Sequence, residues 1–240
     1  MHRFFWTDES VAFMCRAAER SEYYALLAKN IASFLVYTPQ SLYEPGCGTG
    51  DLSMALSPFV VSLTAADIDP LPLKALKERA RERGLTNITV KEEDAFSLSD
   101  PVFYEAAVFC FFGMPDQILS FAKAHVKKDV FVIKRAYTKH RFSVSDIPVT
   151  GDSLSGMCAL LENRDVPYEK TVLDMELGQP LKDLEEARRF FSLYSRDDKN
   201  TVFSDETLLS RLTVTNDREY PSYLPGRKKV GLIHFKSEAL

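Results

Sequence analysis

Apolar positions in the first forty residues recur at helical spacing. Tyr23, Leu27, Ile31 and Phe34/Leu35 fall on one face. Two helices are therefore predicted, over Ser10–Arg20 and Ser21–Leu35, with Ser21 as the N-cap of the second. The pattern then changes to short apolar runs: one from Leu42, then Val60–Ala66, Asn87–Val90, Ala106–Phe112 and Asp129–Ile133. Helical segments separate them, at Leu52–Leu56, Leu71–Arg83 (closed by Gly84) and Pro115–His125. Leu73, Leu76 and Ala80 form the apolar side of the middle helix, and Lys74, Lys77, Glu78 and Arg81 its solvated side. Alternation of this kind predicts a parallel, doubly wound α/β sheet. The Ala106–Phe112 run is apolar throughout, as a strand buried on both faces would be.

Beyond Arg135 the alternation breaks. The pattern predicts a helix over Asp152–Asn163 and an extended piece over Tyr168–Leu177. A further helix opens with a capping box, Asp183 to Glu186, and runs through Ala187, Phe190, Phe191 and Tyr194. A helix at Asp205–Leu212, an extended stretch to Tyr220 and a strand at Val230–Lys236 follow, and a hairpin there would close the sheet edge.

A net charge of −4 offers no basic footprint for nucleic acid. The four cysteines show no C-x-x-C spacing and no clustering with histidine, so they read as free thiols of a reducing cytosol rather than disulfides or metal ligands. No run approaches the ~20 apolar residues of a membrane helix, and the N-terminus lacks the apolar core of a signal peptide. A soluble, cytoplasmic protein with no membrane partner is expected.

The densest chemistry lies in Leu42-Tyr43-Glu44-Pro45-Gly46-Cys47-Gly48-Thr49-Gly50-Asp51, an apolar run, an acid and three glycines at alternate positions, with a helix following at once. Strand, glycine turn and helix bring backbone N–H groups and a helix N-terminus against a ligand. The dinucleotide fingerprint G-x-G-x-x-G fails, because its third position falls on Asp51. A Walker loop fails for want of a lysine after Gly50. A ribose-binding acid is expected about 20 residues past the glycines. Asp67 stands 19 residues past Gly48, at the end of the second apolar run. Asp69 reads as the N-cap of the helix starting at Pro70.

Glu44, Gly46, Gly48 and Gly50 match all four fixed positions of E/D-x-G-x-G-x-G, and the chain thereby resembles the class I S-adenosylmethionine-dependent methyltransferases. Asp67-Ile68-Asp69 is similar to the acid segment after the family's second strand. Asp94-Ala95, after the third strand, resembles its third motif, in which the acid accepts from the adenine amino group and the next residue offers a backbone N–H. The resemblance covers residues 40–135 well and the remainder only in layout. It implies a Rossmann-like methyltransferase fold, α/β and doubly wound. The implied sheet is mostly parallel and seven-stranded, with N-terminal helices and a lid insertion after strand five. It also implies S-adenosylmethionine as cofactor, with Glu44, Gly46, Cys47, Gly48, Asp67, Ile68, Asp94, Ala95 and Cys110 as its site. A single domain is expected: a helical cap over 1–38, the cofactor core over 39–137, a substrate lid over 138–203 and a sheet-closing part over 204–240.

The fourth strand leads into Gly113-Met114-Pro115, without the [DN]-P-P-[YF] of the DNA-adenine and glutamine N-methylating branches, and no catechol-type metal triad is evident. The expected activity is metal-independent methyl transfer to a small-molecule acceptor. RNA or protein acceptors, a nicotinamide-dependent oxidoreductase and a non-catalytic binding module are the alternatives. Candidates for proton removal are thin: His140, just past strand five, and Tyr24. His125 and His234 read as solvent or sheet-edge residues. Tyr24, Tyr137 and Trp6 could form an aromatic wall. Cys47 reads as a small apolar filler.

Overall fold

Why the strands sit where they do follows from a two-residue alternation in the central ones. Ala106, Val108, Phe131 and Ile133 point into one buried cluster, Ala107, Phe109, Val130 and Val132 into the other. These residues belong to β4 (Tyr104–Cys110) and β5 (Val126–Arg135) of the computed structural model, which describes residues 5–98, 102–149, 153–198 and 201–240. The chain begins with α1 (Asp8–Glu19), α2 (Tyr23–Ala32), β1 (Leu42–Pro45), α3 (Asp51–Leu56), β2 (Leu63–Asp67), α4 (Pro70–Glu82) and β3 (Ile88–Glu92). After β4 come α5 (Pro115–His125), β5, α6 (Leu154–Asn163), β6 (Tyr168–Glu176), β7 (Gln179–Leu181) and α7 (Leu184–Tyr194). It ends with α8 (Asp205–Arg211), β8 (Thr213–Val214), β9 (Ser222–Leu224) and β10 (Arg227–Lys236).

The main sheet has seven strands in the order β3-β2-β1-β4-β5-β10-β6, parallel except that β10 runs antiparallel to both neighbours. One face is covered by α2, α3 and α4 through Leu27, Ile31, Leu52, Leu56, Leu73 and Leu76. The other is covered by α5 and α6 through Ile118, Phe121, Met157 and Leu161. Each such side chain contributes about 1.5–3 kcal/mol by leaving water. A small antiparallel sheet, β7-β9-β8, packs with α1, α7 and α8 around Phe13, Phe190, Phe191 and Leu208.

Several boundaries differ from the sequence reading. α1 starts at Asp8 because Thr7 and Ser10 form a reciprocal capping box. α2 starts at Tyr23, and Ser21 is not its N-cap; the Ser21 hydroxyl accepts only the Tyr23 N–H, at 3.4 Å. β2 begins at Leu63 because a helical turn at Ser57–Phe59 precedes it and leaves Val61 exposed. β4 stops at Cys110, since Phe111 turns to φ +53°. α6 begins at Leu154 under a Ser153 cap, the expected start at Asp152 lying outside the described residues. Asp183 caps α7, but the capping box is incomplete. The Glu186 carboxylate instead accepts the Lys182 N–H and pairs with Arg16 at 2.8 Å.

The larger differences concern the expected 138–203 lid and the sheet edge. β6, which falls within that span, is a strand of the main sheet, and α6 packs on α5 and β5. β10 pairs with β5 and β6, while β8 and β9 belong to the small sheet, so no C-terminal hairpin closes the edge. His234 is not a solvent residue. It is buried and bonded at 2.7 Å to Asp129, which also accepts from Lys236 and Tyr37. Burial alone would raise the Asp129 carboxyl, but these three bonds outweigh it and hold it near about 2.

Candidate functional site

The site begins where β1 ends. Gly46, Gly48 and Gly50 all take positive φ, at 66°, 53° and 71°, a conformation that L side chains rarely adopt. Gly50 has a second reason to be glycine: a Cβ there would lie 2.2 Å from Leu76 of α4. It thus permits the close helix approach that the third glycine of a dinucleotide fingerprint provides. The Cys47 N–H donates to Ala66 O and the Gly50 N–H to Cys47 O, each at 2.9 Å, tying the loop to β2 and closing it. Cys47 is buried, and burial pushes its thiol well up, which fits the filler role.

Asp51, at which the dinucleotide fingerprint fails, is a buried partner of the loop. It is 7% exposed and paired at 2.6 Å with Arg79 of α4, and it accepts the Thr49 hydroxyl at 2.6 Å. Arg79 also donates to Thr49 O and, through its Nε, to Glu19 of α1 at 3.1 Å. One guanidinium therefore clamps the glycine loop to both α4 and α1, a role that sequence pattern did not signal.

Asp67 ends β2 facing the loop. One carboxylate oxygen accepts the Gly48 N–H at 2.9 Å and the other the Asp69 N–H at 3.0 Å. Each oxygen keeps a further lone pair, as a bidentate acceptor for two neighbouring hydroxyls needs. Asp69 caps α4 through the Leu71 N–H at 3.0 Å, as expected. Ile68 is exposed beside them. Asp94 accepts the Phe96 N–H and the Ser97 hydroxyl, and Ala95 is buried after it. Glu44 is 2% exposed. Burial pushes its carboxyl up to about 8, the charges of Asp51 and Asp67 adding to the effect and a bond from Ser53 opposing it.

Aromatic rings cover the glycine backbone. The Trp6 ring lies against Gly48 and the Phe112 ring against Gly46, with Phe112 stacked on Phe96 at 5.2 Å between centroids. Beyond β4, the buried Lys134 donates to Gly113 O at 2.7 Å and to Phe112 O, holding the turn in which Phe111 has positive φ. Cys110 precedes that turn, and burial raises its thiol.

Of the two acid–base candidates, Tyr24 packs edge-on against Tyr23 at 4.9 Å, and burial raises its hydroxyl well above the usual range. The His140 ring bonds to the Ser143 hydroxyl at 2.9 Å and its backbone N–H donates to Ile147 O, so its contacts are with its own loop. Burial and the nearby Arg196 and Arg141 lower it to about 4. The sequence reading missed Lys228 and Arg141. Lys228 lies 4.8 Å from the Tyr23 ring centroid and 5.3 Å from that of Phe111, at the same end of the sheet as Cys110. No motif marks either residue. Only the antiparallel insertion of β10 brings Lys228 there.

This arrangement is the Rossmann-like fold found in methyltransferase structures. The sheet is open, and its glycine loop lies at the strand ends next to the order reversal between β1 and β4, where ligands bind in such sheets. Residues 43–129 match the family model described as "Methyltransferase domain". Over 58 residues the chain is 45% identical to the ubiquinone/menaquinone biosynthesis C-methyltransferase UbiE of Zymomonas mobilis; the match spans 23% of this chain and 24% of that relative. Among solved structures, the YcgJ protein of Bacillus subtilis shares the fold with a TM-score of 0.57 at 15% identity, over 87% of this chain and 97% of that one. The magnesium protoporphyrin IX methyltransferase of Synechocystis, solved with bound S-adenosylhomocysteine, aligns with a TM-score of 0.50 at 12% identity, over 63% and 76%. A methyltransferase domain is thus matched over residues 43–129, and the solved structures share the fold.

Proposed function

We propose that this protein is an S-adenosylmethionine-dependent methyltransferase acting on a small-molecule acceptor without a metal ion. The observation that carries the reading is the Gly48–Asp67 pairing on a positive-φ glycine loop, framed by Glu44 and Asp94. These residues fit the cofactor chemically. Asp67 offers acceptors for the ribose hydroxyls, Asp94 and the Ala95 N–H would serve an adenine, and the glycines leave the backbone open to close approach. When bound, S-adenosylmethionine supplies a methyl group already activated by its positive sulfur. The chain's own task is to hold an acceptor in line and exclude water. Tyr23, Tyr24 and Phe111 provide apolar walls for that purpose.

A small-molecule acceptor fits the net charge of −4 better than RNA does. Among the described residues no cluster of His, Cys, Asp and Glu could hold a metal, and no helix is long and apolar enough to cross a membrane. The four thiols are free, in keeping with a reducing, cytoplasmic setting.

Calorimetric titration with S-adenosylmethionine, S-adenosylhomocysteine and NAD in parallel tests the reading. Binding of the first two without NAD is expected. Binding of NAD alone would overturn it.

A further inference from the structure

Two basic side chains lie close enough near the end of β4 for one charge to act on the other, with no anion in contact. Among the described residues, no carboxylate forms an ion pair with Lys228 or Arg141. Arg141 instead donates to the backbone carbonyls of Gly226 and Leu177, at the entry to β10. The nearby Glu176 carboxylate accepts the Tyr223 hydroxyl at 2.6 Å and the Gly226 N–H. Lys228 is half-buried over the Tyr23 and Phe111 rings, which compensate an ammonium only in part. Its burial, with the Arg141 charge next in effect, lowers it to about 7.

The third observation is independent of these charges. The Tyr23 hydroxyl has no hydrogen-bond partner, although the residue is 1% exposed. A donor left without a bond at such a depth is destabilising, and a ligand that accepts from it removes that cost. The ionisable groups acting on that hydroxyl are Cys110, Tyr137 and Arg141, so it belongs to the same locus. An O–H donor, a guanidinium and an amine around one spot are what a carboxylate accepts from. The rings of Tyr23 and Phe111 beside them suit a flat, apolar body.

We propose that Lys228, Arg141 and the Tyr23 hydroxyl seat the acceptor's anionic group, and that the acceptor is a small planar carboxylic acid. The inference rests on the methyltransferase reading, because it assigns the acceptor side of that same site. An acceptor anchored there by its carboxylate would present its far end to the glycine loop across Cys110. A neutral analogue would leave both cations uncompensated and the Tyr23 O–H unpaired.

Benzoate and its neutral counterpart benzamide are the probes. Each is titrated by NMR into the whole protein saturated with S-adenosylhomocysteine, at constant ionic strength. Benzoate should give saturable shifts at concentrations about 10-fold or more below those benzamide needs, the range expected for charged hydrogen bonds. Lys228→Gln and, separately, Tyr23→Phe should weaken benzoate while leaving benzamide unchanged. Equal response to both probes, no saturable response to benzoate, or unaltered benzoate binding in both variants would overturn the proposal. Tyr23→Phe keeps the ring and so guards against a Lys228 variant that fails to fold. Binding of S-adenosylhomocysteine is read in the same samples. Its absence alongside an intact benzoate response would overturn the cofactor reading and spare the anion site.

Discussion

Arg79 on α4 lies 2.6 Å from Asp51 at the start of α3, and their side chains are only 11% and 4% exposed. An exposed pair of this kind would contribute little, but removing one partner of a buried pair strands a charge. Arg79→Met is expected to cost about 3–5 kcal/mol in urea unfolding and to weaken cofactor binding, since Thr49 and Asp51 lose their clamp. A loss below about 1 kcal/mol, the value of a surface pair, would show that the clamp is ornamental.

Asp67 ties the Gly48 N–H and is the acceptor proposed for the ribose hydroxyls. Asp67→Ala should weaken S-adenosylmethionine binding by about 1.5–3 kcal/mol, as for a lost charged hydrogen-bond partner. Calorimetry on the folded variant checks this. Unchanged affinity would remove the ribose assignment.

Trp6 is the sole tryptophan, and its ring rests against Gly48. A ligand entering the glycine loop must share or displace that contact. S-adenosylhomocysteine should therefore change the intrinsic fluorescence saturably, and Trp6→Phe should abolish the signal. A silent titration, with binding verified by calorimetry, would place the ligand away from Trp6.

Glu44 sets a pH dependence whose sign is fixed by its upward shift. The unfolded carboxyl titrates near 4.5 and the folded one near about 8. Its contribution to stability is complete below about pH 4.5 and is lost as pH rises toward about 8. At about 1.4 kcal/mol per pH unit the loss amounts to roughly 3–5 kcal/mol. Glu44→Gln should flatten the profile over that window. A cationic ligand beside Glu44 would expel the proton, so S-adenosylmethionine binding at neutral pH should release up to one. Calorimetry in buffers of differing ionisation enthalpy measures it, and zero release would separate Glu44 from the ligand's charge.

What the sequence determined is local. The glycine spacing with Glu44, the N-capping Asp69, the bounds of Pro115–His125 and the period-two runs of β4 and β5 follow from short-range sterics and from which side chains shun water. The parallel sheet follows from their alternation, and the ligand loop from three glycines within five residues. Tertiary structure alone decided the rest. Tyr168–Glu176 has the same extended pattern whether it lies in a lid or in a sheet, and only its pairing with β10 made it a strand of the main sheet. In sequence Asp51 is only the residue at which the dinucleotide fingerprint fails, and its partner Arg79 is brought to it by α4 from 28 residues away in the chain. Lys228 meets the Tyr23 ring because an antiparallel strand enters between β5 and β6. Such long-range contacts depend on which surfaces compete for burial once the chain has collapsed, and no window of neighbouring residues carries that information.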